Sequence, residues 1–257
     1  MRRAALSLAL AAGLLPAAAP AQQALEPAQG QVLRFFVPET WTMPLGELEA
    51  RGTSRQLLRG LGLDWQRALA EAVGASAEAV VAPHKRLEYL VQLQAFDVLC
   101  FMNPAWVKAE LGLQWLPPFM EVDERLVAGP GQADISHLAE LRGHSVGTVA
   151  SYHYPALERV FASGMARREN ASTERQVLEM LLRGRSDFAV MRSMDLQYLQ
   201  RHDPATRELK LSSLVITREQ FHCATVPGGR AQPQPLRLAQ ERLLKAGVLE
   251  RLRASYR

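Results

Sequence analysis

Residues 143–147 read Gly-His-Ser-Val-Gly, the Gly-x-Ser-x-Gly spacing that in hydrolases surrounds a nucleophilic serine on a strand-to-helix turn. Acids and bases for such a serine exist downstream at Asp187, Asp195, His202 and His222. The chemistry requires a strand before the serine and a helix after it, because that turn lifts the hydroxyl above the sheet. Here "DISHLAELRG" reads as a short helix, capped by Asp134 or Ser136, and Ser145 opens the strand-like "SVGTVA". The polarity is reversed, so Ser145 is expected to be structural. Gly143 would end the helix, and Gly147 would mark a strand position that another group approaches closely.

Other chemistries find less support. The histidines at 84, 137, 144, 153, 202 and 222 show no close pairing at metal-ligand spacing, and the cysteines form no Cys-x-x-Cys. No glycine-rich phosphate loop follows a strand. Neither metal nor cofactor is expected.

The chain opens MRRAALSLALAAGLLPAAAPAQQ: two arginines, an apolar run and small residues, the pattern of a secretory signal peptide cut near Ala21. Residues 1–21 are therefore expected to leave. No later segment approaches the roughly 18 apolar residues of a membrane span, so a soluble periplasmic protein is expected. Loss of Arg2 and Arg3 takes the formal charge from +4 to +2. That balance argues against nucleic acid, which requires a concentrated basic face. Arg167-Arg168 and Arg183 to Arg185 are read as solvated helix faces. Cys100 and Cys223 are the two cysteines; in an oxidising compartment a disulfide is the first expectation, with two buried free thiols as the alternative.

Hydrophobic periodicity then supplies the elements. "VLRFFVPE", "AVVAP" and "FDVLCFM" read as strands, separated by helices in "LLRGLGLDWQRALAEAVGA" and "HKRLEYLVQLQA". After a Pro- and Trp-rich passage and the extended "EVDERLVAG", a second series follows: "SVGTVA", the helices "PALERVFASG" and "TERQVLEMLLRG", the strand "RSDFAVM" and the helix "SMDLQYLQRH". "LKLSSLVITREQFHCATVP" is extended, and "PLRLAQERLLKAGVLERLRASY" closes the chain as one long helix. Alternation of this kind predicts two α/β layers, each a mostly parallel sheet flanked by helices.

Four stretches in order, "GLGLDWQRALAEAVG", "RLEYLVQLQAFDV", "LAELRGHSVGTV" and "QVLEMLLRGRSDFAV", resemble the family 3 bacterial solute-binding proteins, periplasmic receptors best known from amino-acid ABC transporters. Ala95 departs where that family usually has glycine. The resemblance implies a two-lobed α/β fold of the type II periplasmic-binding kind, with two crossover segments near Phe119 to Asp123 and Ile216 to Phe221. Lobe one would comprise 22–122 plus 218–257, and lobe two 123–217. It also implies that Cys100 and Cys223 lie on neighbouring strands of lobe one. The implied activity is capture of a small molecule by a monomer, for an inner-membrane ABC permease or a sensor. The alternatives are a cyclohexadienyl-dehydratase-like periplasmic enzyme on the same fold, for which Glu39 and Glu121 are the available carboxylates, and a ligand-free accessory protein.

In open α/β sheets ligands bind outside the carboxyl ends of the strands. That rule selects Trp41 after the first strand, and Asn103 and Trp106 after "FDVLC". Trp41 is read either as a wall of the site or as an aromatic packed on its own lobe, and Trp106 as a wall or an inter-lobe anchor. The family resemblance adds Ser151 and Tyr152, whose counterparts hold an acidic ligand group near a helix start, with His153 beside them. Two departures weigh against an ordinary α-amino acid: the family's Thr-x-x-Arg turn is missing from "FMNPAWVKAE", and Arg192 stands where an ammonium-binding acid is usual. An unpaired Arg192 would favour a carboxylate-bearing or acceptor-rich ligand; pairing with Asp195 or Glu39 is the alternative.

Overall fold

The computed structural model describes residues 30–52, 54–150 and 152–257. The expected signal peptide and Ser151 lie outside the described residues. Strand β1 (Gln31–Pro38) is followed by a hairpin of β2 (Glu47–Arg51) and β3 (Ser54–Arg59), helix α1 (Leu61–Glu71), β4 (Ala75–Ala82), α2 (Leu87–Gln92), β5 (Val98–Met102) and the short β6 (Gln114–Trp115). Then come β7 (Met120–Ala128), β8 (Ser145–Val149), α3 (Pro155–Ala162), β9 (Arg167–Ala171), α4 (Glu174–Leu182), β10 (Phe188–Arg192), α5 (Ser193–His202), β11 (Lys210–Thr225), α6 (Pro233–Lys245) and α7 (Val248–Ser255).

The strands are ordered β4-β1-β5-β11-β7-β10-β8-β9, with β6 on β11. The triplet β4-β1-β5 is parallel and so is β10-β8-β9, while β7 and β11 run antiparallel to their neighbours. Two parallel α/β layers are therefore joined through the paired crossing strands β7 and β11. The buried apolar clusters follow this division, with Met194 of α5 packing across it against the lobe-one cluster. One pair gathers around Phe35, Trp65 and Phe221 and around Phe36 and Phe96; the other gathers around Leu157 and Phe188 and around Val177 and Leu196. The molecule has the two-lobed, type II periplasmic-binding architecture.

Several elements differ from their sequence reading. The helix expected from Leu57 starts only at Leu61, because Gly60 at φ 136° breaks the chain and Leu57 to Arg59 pair with β2. The single closing helix is two, divided at Gly247 with φ 68°. "DISHLAELRG" yields only a 3-10 turn at Leu138–Leu141. Arg167 and Arg168 lie on β9, not on a helix face; the Arg168 guanidinium covers the rings of Tyr154 and Phe161 at 5.5 and 5.8 Å. β9 reads Arg-Arg-Glu-Asn-Ala, so no apolar period marks it.

Each parallel layer carries the same clamp. Asp97, just before β5, donates its N–H to the Arg34 carbonyl at 2.8 Å and accepts the Arg34 N–H at 2.9 Å. Asp187, just before β10, donates its N–H to the Ser145 carbonyl at 3.1 Å and accepts the Ser145 N–H at 2.7 Å. A carboxylate thus stitches the strand it precedes to a parallel neighbour, β5 to β1 in one layer and β10 to β8 in the other. Burial pushes the Asp97 carboxyl up, but hydrogen bonds from Arg34 and the Arg230 N–H outweigh it and hold it below the usual carboxylate range.

Cys100 on β5 and Cys223 on β11 form a disulfide with Cα atoms 3.9 Å apart. The β5–β11 register shifts between His222 and Ala224, and Phe101 adopts φ 59°, a backbone region that bulky residues rarely enter. Strict alternation would send adjacent side chains to opposite faces; here Cys100 and Phe101 both join the same lobe-one cluster. We predict that thiol titration of the denatured, unreduced protein finds no free thiol. The Cys100→Ala/Cys223→Ala variant should unfold at least about 2 kcal/mol more easily, with the chain-entropy model placing the ceiling near 5 kcal/mol.

Candidate functional site

The Gly-x-Ser-x-Gly stretch resolves into the lobe-two clamp. Ser145 is 3% exposed, and its Oγ donates to Asp187 Oδ2 at 2.8 Å while accepting the Asp187 N–H at 3.0 Å. His144 Nδ1 lies 3.6 Å from the same carboxylate oxygen, its ring edge on Phe188. Ser, His and Asp are all present, yet the carboxylate, not the imidazole, contacts the hydroxyl. A nucleophile needs its base on the hydroxyl, so this trio has the wrong wiring. Burial pushes the Asp187 carboxyl up, and the Ser145 hydrogen bonds together with His144 reverse that shift. Gly147 is needed because a side chain there would press on Ser186 and Val177.

A different cluster stands at the carboxyl ends of the parallel strands. Arg192 ends β10, Glu174 is the first residue of α4 behind the Thr173 cap, and Asp195 lies in the first turn of α5. Acids are favoured at helix starts by the unpaired N–H groups and the helix dipole, which explains why both carboxylates point to one end of the lobe. Arg192 Nη2 donates to both oxygens of Glu174 at 3.0 Å, and Nε donates to Asp195 Oδ2 at 2.7 Å. The three side chains are 12%, 16% and 4% exposed. Around them, Glu124, Val149, Tyr152, Tyr154, Val190 and Met191 enclose a void of about 10 Å³, room for about one water molecule.

Lobe one reaches this cluster through the segment after β1. Thr42 Oγ1 donates to Glu174 Oε2 at 2.8 Å, and the Tyr152 hydroxyl lies 3.2 Å from Thr40 Oγ1 and 3.4 Å from Glu174 Oε1. Glu174 is therefore shared between the Arg192 guanidinium and the opposite lobe. The loop after β8 is fixed from behind by Arg168, which donates to the Thr148 hydroxyl at 2.9 Å and to the Val149 and Tyr152 carbonyls at 3.3 and 3.1 Å.

The residues singled out from the sequence fall in three places. Tyr152 and Arg192 belong to the cluster. Trp41 is 7% exposed and packs into lobe one, its ring edge on Phe101 at 5.6 Å; a side chain at Gly62 would overlap its ring. It occupies its own lobe's core, the second of the two readings given for it. Asn103 caps the turn at Ala105 through Oδ1 and donates through Nδ2 to Glu219 on the crossing strand β11. Trp106 is 42% exposed and meets Phe221 edge-on at 6.0 Å. Ser151 is not described. Arg192 is not the unpaired guanidinium on which a carboxylate-bearing ligand was expected: Glu174 and Asp195 already neutralise it. Nor would its removal leave the empty fold unaffected, because breaking a buried, hydrogen-bonded ion pair typically costs about 3–5 kcal/mol. The Tyr152 amide, expected to face an anion, instead donates to the Val149 carbonyl at 3.1 Å.

Two members of the cluster, Glu174 and Glu124, escaped sequence reasoning. Glu124 carried a signal. On β7 the buried positions Met120, Val122, Leu126 and Ala128 alternate, and Glu124 occupies the one carboxylate place in that apolar register. Burial, with Glu174 and Glu219 adding repulsion against the pull of Arg192, pushes its carboxyl up to about 7. Burial likewise pushes Asp195 up to about 7, opposed by Arg192 and reinforced by Glu174; Arg192 itself stays charged, burial being outweighed by Asp195 and Glu174. Among the described residues no group of three or more His, Cys, Asp or Glu is placed to hold a metal ion. No helix there is long and apolar enough to cross a membrane.

No protein-family model and no curated protein sequence matches the chain. Solved structures share its fold. A putative ABC-transporter binding component from Wolinella succinogenes, complexed with lysine, superposes with a TM-score of 0.72 at 17% identity, covering 88% of this chain and 95% of that one. An ancestral arginine-binding protein bound to arginine gives 0.70 at 19%, covering 88% and 97%. A histidine kinase sensor domain with similarity to periplasmic binding proteins gives 0.69 at 19%, covering 89% and 96%. At these identities the likeness establishes the fold.

The raised Glu124 carboxyl makes a signed prediction. Between its ordinary value near 4.5 and about 7 the folded state holds a proton that the unfolded state has lost. Stability therefore falls as pH rises through that window, by on the order of 3 kcal/mol for one such group. Glu124→Gln removes the liability: its melting temperature should exceed wild type at pH 8 and converge with it near pH 4. A difference independent of pH would contradict the assignment.

Proposed function

We propose that the protein is a periplasmic solute receptor, exported by a signal peptide cut near Ala21. It would bind a small polar molecule between lobe one (22–122 plus 218–257) and lobe two (123–217), as a monomer, for delivery to an inner-membrane ABC permease or a sensor. One observation carries this reading: polar groups that follow β1, β8 and β9 meet Arg192 at the end of β10 at a single place between the lobes, where open α/β sheets bind ligands. Thr40 and Thr42 come from one side, and Tyr152, Glu174 and Arg192 from the other. The neighbouring structures that carry lysine or arginine share this fold, which agrees with a binding role.

A second reading, an enzyme on the same fold, is favoured by Glu124 alone. A buried carboxyl poised near neutrality in a cleft is what acid–base catalysis uses. A receptor returns its ligand unchanged, so one experiment separates the two. A thermal-shift screen of small polar metabolites on the mature protein should yield stabilising compounds, since a ligand at 100 times its dissociation constant adds about 2.7 kcal/mol. Mass spectrometry after prolonged incubation should recover each hit intact. Conversion of a hit, abolished by Glu124→Gln, would establish the enzyme instead, and a screen without hits would remove both.

A further inference from the structure

We propose that a recess between α5 and α7, apart from the cluster around Arg192, is a second binding site, which takes a small monocarboxylate and bridges the two lobes through it. Lobe one contributes Pro44, Leu61, Arg253 and Arg257, and lobe two contributes Met194 and Gln197, with Tyr256 beside them. The inference needs the fold alone and does not rest on the receptor reading. Met194 and Gln197 are three residues apart and so share a face of α5, whereas Asp195 serves Arg192. Arg253 lies in the last turn of α7, and Tyr256 and Arg257 follow its end.

Charge sets the ligand class. The side chains lining the recess include two guanidiniums and no carboxylate. Both guanidiniums reach to one acid, Glu250, at 3.3 and 4.0 Å, and that side chain is 64% exposed. Exposed pairs of this kind are worth little, and one carboxylate cannot neutralise two cations. Asp64 is occupied by the Tyr256 hydroxyl, which donates to it at 2.6 Å. Arg59 stands within electrostatic reach of Tyr256 and of Tyr198 in lobe two, its own partner being Glu47. Arg192, by contrast, is held between Glu174 and Asp195. In the recess positive charge is in surplus, and guanidinium forks match a planar carboxylate.

Size and polarity narrow the choice. The recess offers about 30 Å³, room for about two or three water-sized groups, against about 10 Å³ beside Arg192. Pro44, Leu61 and Met194 supply the apolar part of its lining, and Met194 already packs on the lobe-one core. A carboxylate on a short alkyl chain answers both halves: the anion meets the arginines and the Gln197 amide, and the chain meets the apolar side chains. Phosphate would meet the same charge and cover no apolar surface. Because both lobes contribute, such a ligand adds contact across their boundary. Linkage then couples it to whatever else depends on that boundary, including the bond from Thr42 to Glu174, two residues from Pro44.

The test is a proton–nitrogen NMR titration of the mature protein at matched ionic strength with propionate, with ethylammonium as a cation of similar size, and with phosphate. Propionate should shift the Gln197 side-chain amide saturably, and ethylammonium should leave it in place. The double variant Arg253→Gln/Arg257→Gln, altered at exposed or half-buried positions, should keep a folded spectrum and bind propionate at least about tenfold more weakly, the loss of a charge-assisted contact. Gln197→Leu should weaken it as well, by a smaller factor. Absence of a saturable response to propionate would overturn the site, as would an affinity unchanged in the double variant. Phosphate binding as tightly as propionate would overturn the ligand class, and an affinity untouched by Gln197→Leu would overturn the bridge between the lobes.

Discussion

The pairing of Arg192 Nη2 with both oxygens of Glu174, completed by Nε on Asp195, is the interaction on which the candidate site depends. A guanidinium this buried requires acceptors, and the fold supplies them from two separate elements, α4 and α5. The end of β10, the start of α4 and the start of α5 are brought to one point. Because Glu174 also accepts the Thr42 hydroxyl, the same carboxylate ties lobe two to the segment after β1. The contact with the segment after β1 and the geometry of the site share one residue.

Behind that point the lobes are built on a repeated device. Asp97 and Asp187 precede equivalent strands and clamp the backbone N–H of Arg34 and Ser145 in the same way. In lobe one the clamped residue adds its own guanidinium to the carboxylate; in lobe two it adds a hydroxyl. The serine in a hydrolase-like spacing is thus the lobe-two counterpart of an arginine. The resemblance to a nucleophile motif comes from the glycines flanking a tight entry into β8, not from chemistry.

Much of the architecture was legible because it rests on periodicity. The alternation of apolar strands and amphipathic helices points to two α/β layers, whereas the crossings that join them, and the placing of Cys100 beside Cys223, are what the family resemblance implies and no local pattern shows. What was not legible turns on tertiary neighbours. β9 lacks an apolar face, and its Arg168 matters through rings and carbonyls contributed from elsewhere. Trp41 sits after a strand end, as a ligand wall would, but Gly46 and Gly62 leave room for its ring to turn into the core. Arg192 was visible as a charge, whereas its partner Glu174 lies 18 residues away, beyond any local pattern. Glu124 could have been found, as a carboxylate in the buried register of β7.

The central claim is that Glu174 holds the lobes together at the candidate site. Spin labels at the exposed positions Ser76 and Ala156, one on each lobe, allow the inter-lobe distance to be measured directly by pulsed electron resonance, with the native cysteines withheld from labelling by their disulfide. The account predicts one narrow distance distribution for the wild-type background and a broadened, shifted one for Glu174→Ala, with Thr42→Val moving the same way to a smaller extent. Superimposable distributions for wild type and Glu174→Ala would contradict it.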